Sequence, residues 1–598
     1  MISRRHLLAG VAVAAAALPL AAQAGSATAW MFEGDADARL KTMLNAHAGG
    51  LRDVGAGSSL GDYSLAGRAL ARQANAVRMT ELATIDRSAL SAQGAVDYET
   101  ARYVYATLDD QYGRYGFSDI NLRPSPYVVS QMNGAYYWLP DGIGTRSPMA
   151  DFADADRYIA KLEQLAVVLD QETEQILHDA GLGVIPPDFI LAKTVAQIAT
   201  LRDTPAATNP LLQSALERAA AAEMADVEDR AVAVFQSRIV PALTRQIEAL
   251  QSLAPLADDR AGVWAKPDGE AYYVSGLHSN TTASYDPAEM HQMGLAWAQT
   301  LSAEIDRLLR VQGLTEGSVG ERMTALDRDP RFLKPDTEAG RQEIIDTANA
   351  RLNVVRGLLA NGFTVTPNDP VEVRRVAPAI QNGAPGGFYS ASNDPSQPSV
   401  IFINLRSVEE NALWRIPTLL HHEGIPGHHF QSSVLKASGE LSLFRRTVRF
   451  SAWTEGWALY AEQLADEIGA YADDPFGRIG YLQGQLFRAC RVVVDTGLHH
   501  ARWTRDQAID WMVEHAGEHR DAAEREIDRY CVYPGQACSF KVGQQAIVDL
   551  RARAQAQLGA SFDLRAYNDM ILSSGPLPME VLDLVVAQWT ADQASLKA

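Results

Sequence analysis

The sequence contains little cysteine. Only three cysteines occur among its 598 residues, and all of them, Cys490, Cys531 and Cys538, lie in the last fifth of the chain. A disulfide framework needs more cysteines spread along the chain, and the spacing of these three fits no zinc finger. Two interpretations stay open: one disulfide with one remaining thiol, or three buried thiols that behave as small apolar side chains.

Positive charge and long apolar runs are also scarce. Lys and Arg total 53 against 73 Asp and Glu, which gives a formal net charge of −20. This balance argues against binding to polyanions, so we expect no nucleic acid partner. The apolar run from Leu7 to Leu20 lies at the N-terminus, and no later run approaches the roughly 20 residues of a membrane-spanning helix. We therefore expect no membrane insertion of the mature chain.

Residues 1–24 have the features of an export signal. A basic start with Arg4 and Arg5 precedes the apolar run, and Ala22-Gln23-Ala24 provides a small-residue cleavage site. The paired arginines are typical of a twin-arginine signal. The cleavage region offers no cysteine for a lipid anchor. These features predict a periplasmic or secreted protein.

The remaining chain, residues 25–598, is predicted to be one mainly α-helical domain with two lobes around a deep central cleft. Alanine-rich and leucine-rich stretches at helical period run from Asp35 to about Leu253, and clusters of Pro and Gly divide them into hairpins. No stretch of linker composition separates two domains. We place an N-terminal lobe at about 35–290 and a metal-carrying lobe at about 291–598.

Short strands are predicted in two places. A first strand is expected at Ala271 to Val274, before a helix that begins near Asp286-Pro287. β-branched and alternating residues in 370–380, 386–392 and 399–405 predict three more strands. These three would form a small sheet edge just before a histidine-rich segment.

That segment, TLLHHEGIPGHHFQ at residues 418–431, lacks the zinc-peptidase motif H-E-x-x-H. In the motif, two histidine ligands lie four residues apart on one helix face, with the glutamate next to the first. Here the fourth residue after His421 is Ile425, and the fourth after His422 is Pro426. A regular helix therefore cannot present two of these histidines to one metal ion.

Pro426 gives a physical reason to expect a different geometry. Proline removes a backbone donor and clashes with the carbonyl four residues back, so the helix must distort. A helical bulge that absorbs the extra residues would return His428 to the face of His422. His422 and His429 would lie about 10 Å apart along a straight helix, which is too far for one ion. We predict His422 and His428 as metal ligands, and His421 and His429 remain alternatives.

A carboxylate in the segment FSAWTEGWALYAEQ completes the predicted site. Catalytic zinc usually has three protein ligands and an open position, and the third ligand is often a carboxylate from a second helix. Glu455 lies 27 residues after His428 on a helical segment, and Gly456 would let a neighbouring helix approach closely. Glu423, next to a ligand, would act as the general base that takes a proton from water. One catalytic zinc ion is thus the predicted cofactor.

Four later residues are weaker candidates. His499 and Tyr530 are candidates for stabilising a tetrahedral oxyanion, and Arg491 and Tyr533 for holding a substrate carboxylate. A structural role competes with the functional one at each of these positions.

The chain resembles the domain-of-unknown-function 885 family over nearly its whole mature length. Members are bacterial exported proteins similar to gluzincin metallopeptidases, the group that includes helical zinc carboxypeptidases. The resemblance implies an H-E-x-x-x-x-H variant of the zinc motif in a mostly helical, deep-cleft fold, with His499 and Tyr530 facing the cleft. Phe540 departs from the pattern, because a tyrosine is expected there. The segments that carry the resemblance are HHEGIPGHHFQ, TEGWALYAE, VVVDTGLHHARWTRDQAIDWM, RYCVYPGQACSFKVGQ, SSGPLPMEVLDLVV and PYVVSQMNGAYYWLP.

The expected function is that of an exported zinc-dependent peptidase acting on short peptides, because a helical cleft would exclude folded proteins. Two alternatives stay open. One is a metal-dependent amidase acting on a modified peptide or a cell-wall fragment, and the other is a non-catalytic peptide-binding protein. The sequence leaves the position of cleavage and the oligomeric state open.

Overall fold

Helices form most of the molecule, and a small sheet is inserted before the histidine-rich segment. This confirms the predicted fold class. The described helices include none that is both long enough and apolar enough to cross a membrane. The predicted signal peptide lies outside the described residues. The computed structural model describes residues 35–48, 60–117, 124–378, 381, 385–392, 397–437 and 441–596.

The part of the chain before the sheet folds into helices of very different length. Several begin at a side-chain cap, such as Ser64, Asp151 and Asp286, whose oxygen accepts a hydrogen bond from a backbone N–H of the first turn. A π-helical turn at Phe235–Ile239 joins the helix Val227–Val234 to the helix Val240–Leu253. Helices α1 to α13 cover, in order, Ala36–Ala48, Leu65–Leu82, Ala92–Arg114, Ala135–Arg146, Phe152–Gly181, Asp188–Asp203, Gln213–Ala221, Val227–Val234, Val240–Leu253, Gly269–Thr281, Pro287–Val311, Val319–Asp327 and Glu338–Arg356.

The sheet has three strands, as predicted for this region. Strands β1, β2 and β3 cover Val371–Arg375, Gly387–Ser390 and Ser399–Ile403. The central strand β3 pairs in parallel with β1 and antiparallel with β2. Helices α14 to α23 then cover Ile416–Glu423, His428–Ala437, Leu443–Thr447, Ser451–Glu467, Pro475–His499, Arg505–Ala516, Arg520–Val532, Ser539–Leu558, Leu564–Ser573 and Met579–Ser595.

The strand predicted at Ala271 to Val274 is wrong, because these residues lie inside helix α10. The segment AYYV has the aromatic and β-branched residues that favour strands. Its buried residues nevertheless recur at helical spacing, and packing of that face overrides the local preference. The buried positions of this face are Gly269, Tyr272, Tyr273, Gly276, Leu277 and Asn280.

Apolar side chains form one large core and two smaller ones. The large core combines residues of α1 to α3 with residues from Ala261 to Val586. A second core lies among the helices between Val128 and Leu253, and a third lies between α13, the sheet and α14. The first three helices therefore pack with the later part of the chain. The lobe boundary near residue 290 remains a prediction.

The three cysteines are buried free thiols. This confirms their interpretation as small apolar side chains, and the alternative of a disulfide is wrong. Burial raises the pKa of the Cys490 thiol to about 12, so it stays protonated at neutral pH.

Candidate metal centre

The sheet positions the helix that carries His422. Ile401 of β3 packs with Leu420 of α14 in the core beneath the sheet. Pro417 lies in the first turn of α14, where the missing N–H of proline costs no helical hydrogen bond. The last residues of α14, His422 and Glu423, then reach a large cavity.

The chain after His422 breaks instead of forming a bulge. Helix α14 ends at Glu423 and α15 begins at His428, with Gly424 at φ −107° and ψ −105° between them. A Cβ on Gly427 would lie 1.9 Å from the His422 carbonyl oxygen, so glycine is required where the chain folds back. The predicted bulge is therefore wrong. The break still brings the rings of His422 and His428 together, with centroids 5.0 Å apart.

Helix α17 carries Glu455 and also holds the break in place. The indole N–H of Trp457 donates to the carbonyl of Pro426 at 3.0 Å, and both groups are buried. A Cβ on Gly456 would come within 2.5 Å of the carbonyl carbon of Gly543, which belongs to α21. The close helix approach predicted at Gly456 is thus confirmed.

His422, His428 and Glu455 converge on one point. Oε2 of Glu455 lies 3.6 Å from Nε2 of His422 and 3.4 Å from Nε2 of His428. One ligand atom from each of the three residues lies within 4.8 Å of the other two. Atoms that bind a tetrahedral zinc ion at about 2.0–2.1 Å are roughly 3.3 Å from one another. The separations therefore fit a single ion, and the donor set of two imidazoles and one carboxylate suits zinc.

The charges around the cluster favour a divalent cation. Burial opposes protonation of His422, but the neighbouring carboxylates of Glu455, Glu462 and Glu423 raise its pKa to about 9. Burial would raise the pKa of Glu455, but hydrogen bonds from His422 and His428 lower it well below its usual range. Glu455 and Glu462 lie next to the imidazoles and Glu423 adds a third negative charge nearby, so a bound cation would compensate the excess negative charge.

Glu462, a second carboxylate of α17, contacts His422 and was not predicted from the sequence. Its Oε1 lies 2.8 Å from Nδ1 of His422, and its side chain is 1% exposed. Its Oε2 accepts hydrogen bonds from Thr418 at 3.0 Å and from Gln485 at 3.4 Å. A carboxylate on Nδ1 sets the tautomer that presents Nε2 of His422 to a metal. The signal was present, because Glu462 follows Glu455 by seven residues and so shares its helix face.

Replacing Glu462 with glutamine is expected to weaken zinc binding by about 10–100-fold, since His422 loses the anion that orients its ring and raises its basicity. The measurement is the zinc dissociation constant by competition with a chromophoric chelator. Glu467→Gln is the matched control, because Glu467 is exposed on the same helix and pairs with Arg551. An unchanged dissociation constant in Glu462→Gln would show that Glu462 does not support the site.

The other two histidines of the segment do not join the cluster. Nδ1 of His421 lies 3.1 Å from the carbonyl oxygen of Ile425. His429 lies between the Tyr389 hydroxyl and the Asp369 carbonyl oxygen, at 3.3 and 3.1 Å. Burial lowers the pKa of both histidines to about 4, so both are neutral at physiological pH. Their geometry is that of structural histidines.

The cluster opens onto a cavity of about 1080 Å³. Glu423 lines this cavity together with the three candidate ligands. Gln131, Tyr137 and Lys193 also line the cavity, and they come from the part of the chain that builds the second core. Residues from that part of the chain and from the helices that carry the candidate ligands therefore line one cavity, as expected for the predicted cleft.

His499 is placed away from the cluster. Its Nδ1 accepts a hydrogen bond from the Val263 N–H, and its Nε2 lies 3.0 Å from the Tyr530 carbonyl oxygen. Burial lowers its pKa to about 4. With both ring nitrogens engaged by backbone and no exposure, His499 links three segments and does not face the cleft as expected.

The two tyrosines are also absent from the described residues that line the cavity. The Tyr530 hydroxyl donates to Oε2 of Glu526 at 2.8 Å, and the Tyr533 hydroxyl donates to the Met132 carbonyl at 2.7 Å. Tyr530 therefore forms part of the layer behind the cavity wall, and Tyr533 connects the two sides of the cleft. Arg491 does line the cavity, and its role in binding a substrate stays a prediction.

Comparisons with known proteins agree with this fold. A family profile described as "Bacterial protein of unknown function (DUF885)" matches residues 45–586. The crystal structure of a "putative lipoprotein" from Colwellia psychrerythraea superimposes with a TM-score of 0.88 at 31% identity, over 93% of this chain and 100% of that chain. A "putative lipoprotein of unknown function" from Shewanella oneidensis, at 18% identity, shares the fold with a TM-score of 0.64 over 92% and 98% of the two chains. A comparison with curated proteins found no match.

The fold and the cluster together define a mostly helical protein with a candidate metal centre in a deep cleft. The chain belongs to the DUF885 family of bacterial proteins, since the family profile covers most of its length. The family predicted from the motifs is thereby confirmed.

Proposed function

We propose that this protein is an exported zinc-dependent hydrolase that cleaves peptide bonds in short peptides in the periplasm or outside the cell. The observation that carries the proposal is the convergence of His422, His428 and Glu455 beside Glu423 on the wall of one cavity. A binding protein has no need of a carboxylate next to a three-ligand cluster. Hydrolysis by activated water needs a metal ion, which the cluster would hold, and a general base, which the carboxylate would provide.

His422, His428 and Glu455 would hold the ion, which when bound supplies a Lewis acid that polarises a carbonyl and acidifies water. Glu423 takes the proton from the attacking water and delivers it to the departing amine. Glu462 keeps Nδ1 of His422 engaged, so that Nε2 stays directed at the cluster.

The cavity supports a short substrate. Its volume of about 1080 Å³ is slightly above the range for small-molecule sites, roughly 300–1000 Å³. A few peptide residues fill such a space, and a folded domain cannot enter it. Its walls carry both polar and aromatic side chains, such as Gln131, Trp453 and Phe540, which suits an extended peptide with mixed side chains.

The test is a panel of short peptides, including cell-wall peptides and terminally blocked amides, incubated with zinc-loaded mature protein and analysed by mass spectrometry. We expect cleavage of some members, loss of cleavage after dialysis against a chelator, and recovery on adding zinc. Magnesium is the control, because its preference for six oxygen ligands does not fit two imidazoles. Cleavage that survives chelation, or no cleavage by the zinc-loaded protein, would refute the proposal.

A further inference from the structure

Arg491 lies buried in the cavity wall with unused hydrogen-bond donors. Its side chain is 3% exposed, and it lines the cavity that holds the cluster. Its Nε and Nη2 have no hydrogen-bond partner among the described residues. Buried donors of a charged group are costly when left unpaired, so a guanidinium in this setting is suited to a ligand that pairs with it.

Aromatic rings hold the guanidinium in place. Its Cζ lies 4.2 Å from the ring centroid of Phe540, 5.3 Å from that of Tyr530 and 5.6 Å from that of Phe487. Rings at these distances stabilise the cation and restrict its movement, but they accept no in-plane hydrogen bonds. The planar edge of the guanidinium therefore keeps its donors for another group.

The nearest carboxylate does not satisfy Arg491. Oε2 of Glu526 lies 3.7 Å from Nη2, beyond hydrogen-bond distance, and the same oxygen accepts the Tyr530 hydroxyl at 2.8 Å. Glu526 thus lowers the cost of the buried charge without occupying the donors.

A second arginine adds positive charge at the same place. The Cζ of Arg488 lies 5.2 Å from the ring of Phe487 and 5.9 Å from that of Phe540, the two rings that also contact Arg491. Arg488 lines the same cavity, and its Nε has no hydrogen-bond partner in the described part of the chain. Two guanidinium groups that share two rings repel each other, and an anion beside them would relieve that repulsion.

The position of this arginine pair relates it to the metal centre. The Phe540 ring that contacts Arg491 also stacks on His422, with centroids 6.3 Å apart and planes 18° apart. One ring therefore separates the guanidinium from a candidate zinc ligand. An anionic group held by Arg491 would lie close to the peptide bond at the cluster.

We propose that Arg491, assisted by Arg488, binds a carboxylate of the substrate, and that the substrates are peptides with a carboxylate next to the scissile bond. This inference rests on the proposed function. Two sources share this chemistry: the free C-terminus of the peptide, which would make the enzyme a carboxypeptidase, and an acidic side chain. Phe540 is part of the subsite, since its ring centroid lies 4.2 Å from the Cζ of Arg491.

The test measures binding by calorimetry in the zinc-loaded Glu423→Gln protein, which cannot turn over. The probes are N-acetyl-Ala-Phe with a free carboxylate, the same dipeptide as its amide, and N-acetyl-Ala-Glu amide. We expect the free acid to bind about 10–100-fold more tightly than the amide, as charge-assisted hydrogen bonds predict. Preferential binding of the glutamyl amide would instead assign the subsite to an acidic side chain.

In the Glu423→Gln protein, a second substitution Arg491→Met is expected to remove the preference for the free acid. Arg491→Lys is expected to retain part of it, because lysine keeps the charge but lacks the paired N–H donors of the guanidinium. Arg525→Met is the matched control, since Arg525 is an exposed arginine at the same cavity. Equal binding of the free acid and the two amides by the Glu423→Gln protein overturns the inference, and this result does not depend on any Arg491 variant. If the free acid binds preferentially but the wild-type protein hydrolyses no peptide, the carboxylate subsite is retained and the proposed function is rejected. If the wild-type protein hydrolyses peptides but the free acid is not preferred, the proposed function is retained and the subsite is rejected.

Discussion

Replacing Glu423 with glutamine is expected to abolish peptide hydrolysis while zinc stays bound. Glutamine has nearly the same shape but cannot take a proton, and a positioned general base contributes about 10²–10⁴-fold to such reactions. Glu423 is not one of the three converging ligands, so the metal content should not change. The measurements are kcat/KM for the most readily cleaved peptide and zinc per chain by elemental analysis.

Glu410→Gln is the matched control for this loss. Glu410 lines the same cavity, but it pairs with Arg406 at 2.9 Å. The control removes one negative charge from the cavity wall without touching the base. We expect it to keep most of the activity. Full activity in Glu423→Gln would reject the assigned base, and loss of zinc from that variant would indicate that Glu423 binds the metal.

Replacing His428 with alanine is expected to reduce bound zinc from close to one ion per chain to almost none after dialysis. The variant removes one of three ligands, so the loss of zinc affinity should exceed the roughly 10–100-fold expected when a residue that hydrogen-bonds to a ligand, such as Glu462, is replaced. Hydrolysis should be lost with the metal. Elemental analysis of parent and variant, purified and dialysed together, provides the measurement.

His429→Ala is the control next to this position. His429 is as buried as His422, but its ring nitrogens contact the Tyr389 hydroxyl and the Asp369 carbonyl. We expect a lower thermal unfolding temperature from the lost contacts, with zinc binding unchanged. Zinc lost equally from both variants would mean that general destabilisation, and not ligand removal, explains the result. Zinc retained in His428→Ala would reject the assignment of His428.

Local chemistry explains why several features could be predicted from sequence. The strands before the histidine segment have alternating, β-branched residues, and Asp286 and Pro287 start α11 through capping and a fixed φ. The acidic balance argued against polyanions. The pairing of His422 with His428 was predicted from ligand distance together with an expected helix distortion at Pro426. His421 and His429 stayed open as alternatives until the structure placed them on other partners.

Other features depend on contacts between residues that are distant in the chain. A sequence cannot show that Gly427 approaches the His422 carbonyl, or that Trp457 holds the Pro426 carbonyl, so a helical bulge and a helix break were equally consistent with Pro426. The AYYV segment is helical because burial of one helix face outweighs its local preference for a strand. His499 was a functional candidate in the sequence, but in the structure its ring nitrogens contact backbone groups from two other segments.

The sequence by itself determined the helical class, the small sheet, the acidic surface and the residue types of the candidate centre, because composition, periodicity and ligand chemistry are local properties. Only the tertiary structure decided how His422, His428 and Glu455 meet and that Glu462 contacts His422. It also decided that Arg491 lines the cavity, whereas Tyr530 and Tyr533 are not among its described lining residues. The physical reason is that ligand geometry, burial and unpaired donors are set by helices that cross each other from separate parts of the chain.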